Sequence, residues 1–178
     1  MYHDVIIFWF EETQPSQWWR KDDEFDQLII RKFSVIHDKA TTCELFAWRK
    51  DPQGRLAEII VLDQFSRNMF RGTPKAFAQD KMALILAQEA ISLGVDQQLG
   101  SKERGFMYLP LMHSESIVIH ETAEVLYRKY GTPSSLEFEL KHKRIIERFG
   151  RYPHRNKVLG RISTDEEIAF LKQPGSSF

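Results

Sequence analysis

The chain has few of the features that usually announce a function. It contains one cysteine, Cys43, in 178 residues. An internal disulfide is excluded, and neither a zinc spacing nor a C-x-x-C pair exists, which suits a reducing compartment such as the cytoplasm. No charge of either sign is in excess, since 25 Lys plus Arg balance 25 Asp plus Glu. The molecule therefore has no overall field to steer it onto nucleic acid or an anionic membrane, and neither is expected as a partner. No apolar run approaches the ~20 residues that a bilayer-spanning helix needs. The stretch Val5 to Phe10 is apolar, but Asp4 precedes it and Glu11 and Glu12 follow. Without a basic leader it reads as the start of a folded helix and not as an export signal. Hairpin signals such as Asn-Gly and Asp-Gly are missing as well, which argues against a β architecture.

Helical punctuation, by contrast, recurs from end to end. With 42% hydrophobic residues in 178, a single helical domain spanning residues 1–178 is expected, burying roughly 70% of the surface of the unfolded chain. Asp22 or Asp23 can cap a helix whose apolar row is Phe25, Leu28, Ile29, Phe33 and Ile36. Asp51-Pro52-Gln53-Gly54 breaks the chain after a short turn at Leu45 to Trp48, and a helix follows from Arg55 to about Phe70, stopped by Gly72. Thr73-Pro74 starts a further segment, and Gln79-Asp80 opens a helix that Gly94 closes. The helix from Ser101 meets Pro110, which must kink or end it and so re-aim His113. Ser114 can cap the next helix, stopped by Gly131 and Pro133. Capping boxes are predicted at Ser134 with Glu137 and at Ser163 with Glu166. About eight helical segments with short connectors predict an all-α fold of antiparallel helix pairs, although no repeat of ~34 residues is present.

Four constellations carry chemistry. In Leu62 to Gly72, a regular helix places Asp63, Gln64, Arg67, Asn68 and Arg71 within an arc of about 140°. That face is either a cleft wall or a solvated surface with an i, i+4 pair between Asp63 and Arg67. His113 and Glu115 can transfer protons, or simply belong to a helix start. His142 follows Phe138 and precedes Ile145 and Phe149 in an apolar row, so it reads as a buried, hydrogen-bonded core histidine. Last, Phe149 to Arg161 gathers Arg151, His154, Arg155, Asn156 and Arg161 around Gly150, Pro153 and Gly160. An ordinary turn needs no such surplus of guanidinium forks; they can hold a carboxylate or phosphate, or tie the C-terminal helices to carboxylates elsewhere. The aromatic residues Trp9, Phe10, Trp18, Trp19 and Trp48 predict a large core.

At these residues the chain resembles the bacterial family called domain of unknown function 924. The likeness rests on Phe8-Trp9-Phe10, on Leu62-Asp63-Gln64-Phe65 with Arg67-Asn68 and Phe70-Arg71-Gly72, and on Tyr108-Leu109-Pro110-Leu111 with His113-Ser114-Glu115. It continues through Phe149-Gly150-Arg151, Pro153-His154-Arg155-Asn156 and Leu159-Gly160-Arg161 to the terminal Pro174 to Phe178. The resemblance implies a tetratricopeptide-like helical fold and no defined activity. The family pattern usually has proline where Ser66 stands, so the polar helix is expected to be more regular than in relatives. It often has glutamate where Met112 stands, so one carboxylate beside His113 is missing.

The leading expectation is a pocket built from the 63–71, 113–115 and 151–161 segments that binds a small anionic molecule. Asp63, His113 and Glu115 would be its proton-transfer groups. Gln64, Arg67, Asn68, Arg71, Arg151, His154, Arg155, Asn156 and Arg161 would be its ligand-binding groups. If the pocket is catalytic, hydrolysis or group transfer fits those groups. The rival is a tetratricopeptide-like protein-interaction module whose arginines grip a peptide carboxylate. A metal site from His113, Glu115, His142 and His154 is conceivable, but no metal and no cofactor is expected.

Overall fold

Asp51 accepts hydrogen bonds from the backbone N–H groups of Gln53 and Gly54 at 2.8 and 3.3 Å, and Pro52 takes the first helical position that its ring favours. The segment expected to break the chain thus starts the central helix. The computed structural model describes residues 1–177; Phe178, the last residue of the terminal motif, lies outside them. Gly54 is required inside this helix because a Cβ there would lie 2.1 Å from the carbonyl oxygen of Trp48.

The helices are α1 (Tyr2–Ile7), α2 (Asp23–Thr41), α3 (Pro52–Ile60), α4 (Ser66–Met69), α5 (Asp80–Ser92), α6 (Ser101–Met112), α7 (Ile117–Tyr130), α8 (Pro133–Phe149) and α9 (Asp165–Leu171). Among the described residues there is no strand. The chain stays helical from α3 to α4 through a π-helical turn, Val61–Phe65. This corrects the regular helix expected from Arg55 to Phe70: a wide turn interrupts it, and it ends at Met69. Such a turn holds an extra residue, so it shifts the phase of everything that follows it.

Local signals placed other boundaries one or two residues off. The cap of α7 is Ser116, whose N–H bonds Ser114 Oγ at 3.2 Å. The capping boxes are Thr132 with Ser135 and Thr164 with Glu167. In the first, Pro133 decides the matter by occupying the first helical position. Helix α6 runs past Pro110 to Met112, and His113 caps its end. Being so close to the end, the proline removes only one late hydrogen bond.

The core gathers where α3 packs against α1, α5 and α6, while α2 lies on α4 and the π turn. Trp9, Phe65, Leu62, Met107 and Tyr108 are fully buried there. Helices α6, α7 and α8 pack in succession, each turned back on its predecessor by a short connector, as expected for helix pairs. A smaller cluster of Ile145, Ile146 and Tyr152 with Phe149 and Phe170 fastens the C-terminal segment. His142 is buried as expected, donating from Nδ1 to the Phe138 carbonyl at 2.8 Å, but Phe138 itself is exposed. No helix among the described residues is long and apolar enough to cross a membrane.

Candidate functional site

Three expected segments meet around Asp63. The π turn carries Asp63, which is 1% exposed, and Arg67 follows one turn later in α4. His113, at the end of α6, brings Nδ1 to 2.7 Å from Asp63 Oδ1. Arg67 Nη1 lies 3.0 Å from the same oxygen and donates to the Asp63 carbonyl at 2.9 Å. Gln64 Nε2 donates to Asp63 Oδ2 at 2.5 Å. The same guanidinium then forks onto Asp80 at the start of α5, with Nη1 to Oδ1 at 2.9 Å and Nη2 to Oδ2 at 3.1 Å. Arg155, from the 3₁₀ turn Pro153–Arg155, completes the chain with Nη1 at 3.2 Å from Asp80 Oδ2.

The electrostatics follow from burial and these neighbours. Burial alone would raise the Asp63 pKa, but Arg67 and His113 outweigh it and hold the carboxyl well below its ordinary range. Burial and then Arg67 push His113 below its ordinary value of 6.5, against the pull of Asp63. At neutral pH the ring is therefore uncharged, with its proton on Nδ1 facing Asp63 and its lone pair on Nε2. Among the described residues Nε2 has no hydrogen-bond partner, and the side chain is 14% exposed. The arrangement is an oriented acid–histidine dyad presenting a bare acceptor.

Arg155 is the anomaly. Its side chain is only 7% exposed, yet among the described residues Nη1 to Asp80 is its one side-chain hydrogen bond and the buried Nε has no partner. Its guanidinium lies between rings instead, 4.5 Å from the centroid of Tyr152 and 4.7 Å from that of Phe77. Burial, then the neighbouring Arg67, lowers its pKa. His154 beside it is pushed down to about 4, by burial first and Arg155 second.

Of the other expected ligand-binding residues, Asn68, Arg71, Arg151, Asn156 and Arg161 bond carboxylates outside this cluster. Arg71, past the end of α4, forks onto Asp26 of α2 at 2.6 and 2.8 Å, and Asn68 donates to the same carboxylate at 2.8 Å. The single polar face expected of a regular helix is thus split between Asp80 and Asp26. Arg151 forks onto Glu167 at 2.6 and 2.8 Å. Arg161 forks onto Glu115 at 2.6 and 2.8 Å, and Glu115 also accepts from the Tyr152 N–H at 2.7 Å. Asn156 links Arg161 to Glu167. Ser66 is buried and bonds His37 Nε2 at 2.8 Å.

Sequence reading missed Asp80, taken only as a helix opener, and the two rings that hold Arg155. It also missed a second, fully buried acid–histidine pair beneath the His113 loop. His120 Nδ1 is 2.7 Å from Glu139 Oε1, and His120 Nε2 is 2.9 Å from the Ser114 carbonyl. Burial raises the Glu139 pKa. No group of three or more His, Cys, Asp or Glu among the described residues is placed to hold a metal ion. An open groove of about 560 Å³ lies elsewhere, over α8 and α9, and no sequence-predicted site residue lines it.

Fold and site together define an all-helical domain with an interlocked Asp–Arg–His cluster at the meeting of four helical segments. The chain belongs to the family of bacterial proteins of unknown function designated DUF924, matched over residues 5–175. It is similar to the solved structure of a protein of unknown function from Agrobacterium tumefaciens, at 38% identity and a TM-score of 0.91 over 96% of each chain. Comparison with curated proteins gives no match.

Proposed function

We propose that the Asp63, Arg67, His113 and Arg155 cluster binds a small anionic molecule and acts on it by proton transfer, in hydrolysis or group transfer. The observation that carries this reading is Arg155, a guanidinium at least nine-tenths buried with one long hydrogen bond and an orphaned Nε. Burying a cation without acceptors costs stability, so an arginine with a purely architectural role is expected to be saturated. Arg71, Arg151 and Arg161 each fork onto a carboxylate outside the cluster and fasten segments, which leaves the binding role to Arg67 and Arg155 beside Asp63 and Asp80. Glu115, engaged by Arg161 and Tyr152, leaves the proton-transfer role to the Asp63–His113 dyad.

In such a reaction His113 Nε2 takes a proton from a water or hydroxyl, and Asp63 stabilises the imidazolium that forms. Arg67 and Arg155 neutralise the negative charge that develops on the substrate. The interaction-module alternative has less support. The candidate groups are recessed, with His113 at 14% and Arg155 at 7% exposure, so a small molecule reaches them more readily than a peptide would. The test is a thermal-shift panel of carboxylates, phosphates and nucleotides on the wild type and on Arg67→Ala, Arg155→Ala and His113→Gln. A stabilising anion whose effect vanishes in both arginine variants is expected. No shift with any anion in the wild type would sink the proposal.

A further inference from the structure

The cluster as folded is already full. Arg67 and Arg155 face Asp63 and Asp80, two cations against two carboxylates. An extra anion entering such a site would leave a buried charge without compensation. Asp80 is the member that can leave. Among the described residues all of its side-chain hydrogen bonds go to the two arginines and none caps its own helix, and at 18% exposure it borders solvent. Asp63, by contrast, is held at 1% exposure by His113, Arg67 and Gln64.

Resting on the anion-binding reading above, we propose that Asp80 is a built-in occupant of the site, standing where the carboxylate of a small monoanionic ligand sits once Asp80 swings away. Arg67 already grips the Asp80 oxygens at 2.9 and 3.1 Å, the planar fork that a carboxylate fits. The hold of Arg155 is worse matched. It makes a single contact, of 3.2 Å, where Arg67 makes two, and its buried Nε is left over. A carboxylate tethered to α5 serves one guanidinium well and the other poorly, whereas a free one can settle between them. Exchange with a monoanion also keeps the charges balanced. A dianion would leave one negative charge in excess beside Asp63.

The experiment compares the full-length wild type with Asp80→Ala and Asp80→Asn by thermal melting and calorimetry. The probes are sodium acetate and sodium formate, against sodium chloride at equal ionic strength and inorganic phosphate at pH 8. Emptying the place removes competition from Asp80, so the acetate concentration giving half-maximal stabilisation should fall at least about tenfold in Asp80→Ala. Acetate should also restore most of the melting temperature that the variant loses, with phosphate doing so less well. Asp80→Asn keeps the shape while removing the charge, so it answers the question if the alanine variant does not fold. Equal acetate responses in wild type and variants, or stabilisation matched by chloride, would overturn the role given to Asp80 alone. If neither carboxylates nor phosphate stabilise the wild type, the anion-binding reading falls with it.

Discussion

Replacing Asp63 by Asn removes one charge from the centre of the cluster while keeping its shape. In the wild type this carboxylate is 1% exposed, accepts from His113 at 2.7 Å and Gln64 at 2.5 Å, and pairs with Arg67 at 3.0 Å. Removing one partner of a buried ion pair costs roughly 3–5 kcal/mol. Arg67 keeps Asp80, and the new amide still offers one acceptor oxygen, so a loss near the lower end, about 3 kcal/mol, is expected. For a domain of this size that corresponds to a melting-temperature drop of about 6–12 °C.

The pH dependence gives the reasoning a sharper edge. The folded pKa of Asp63 lies below its ordinary 3.8, so its stabilisation is fully present above that value and is lost as pH falls through the folded pKa. Urea unfolding of wild type and Asp63→Asn should therefore differ by a constant amount from pH 7 to 8. Below about pH 4 the gap should begin to narrow as the unfolded wild-type carboxylate takes up its proton, and it should close only as pH falls through the folded pKa. Taking the difference between the two proteins cancels the other carboxylates. A loss under about 1 kcal/mol at pH 7, or a gap that persists undiminished in acid, would refute the view that a charged Asp63 anchors the cluster.

Arg155→Met should leave stability within about 1 kcal/mol of wild type, because an apolar chain replaces a cation that is poorly compensated; a loss above ~2 kcal/mol in urea unfolding would make Arg155 architectural. The same variant should lose all anion-induced stabilisation. Nitrogen-detected NMR at pH 7 should find His113 neutral with its proton on Nδ1, since burial and Arg67 lower its pKa below 6.5 and Asp63 faces that nitrogen. A proton on Nε2 would contradict the dyad. Gly54→Ala should cost about 2–4 kcal/mol in thermal or urea unfolding, since its Cβ would meet the Trp48 carbonyl oxygen at 2.1 Å and backbone must move. A neutral substitution there would show that α3 shifts freely over the Phe46–Lys50 turn.

Much of the fold was legible because local chemistry encodes helix ends. Asp22 caps α2, Gly94 and Gly150 take left-handed conformations just past α5 and α8, and Thr73-Pro74 opens a 3₁₀ turn, all as residue types dictate. The errors have a common source where two residues offer the same cap. Ser163 and Thr164 both precede a glutamate by three, and packing, not propensity, chooses Thr164 with Glu167. The π turn was invisible because a pattern of ~3.6 residues per turn is assumed before any residue is placed. The partners of the arginines were hidden for a different reason. Asp26 lies 45 residues from Arg71, and Asp80 lies 75 from Arg155. Nothing in the spacing of one segment names a mate in another.

That separation of scales explains why the arginine surplus of residues 151–161 divides as it does. Arg151 on Glu167 and Arg161 on Glu115 staple the loop to α9 and to the connector between α6 and α7, and the Tyr152 hydroxyl adds a 2.5 Å bond to the Met112 carbonyl. With both flanks fixed, Arg155 is held where its acceptors are too few, between two rings and at the edge of Asp80's reach. A freely adjusting loop would relieve such a mismatch; a stapled one preserves it. Two carboxylate-bound arginines thus maintain the strain on the third, and local electrostatic strain of this kind persists only where the surrounding structure over-determines it. On the anion-binding role proposed for the cluster, an anion able to complete the Arg155 donor set would relieve that strain, and the staples would then contribute to affinity without touching the anion.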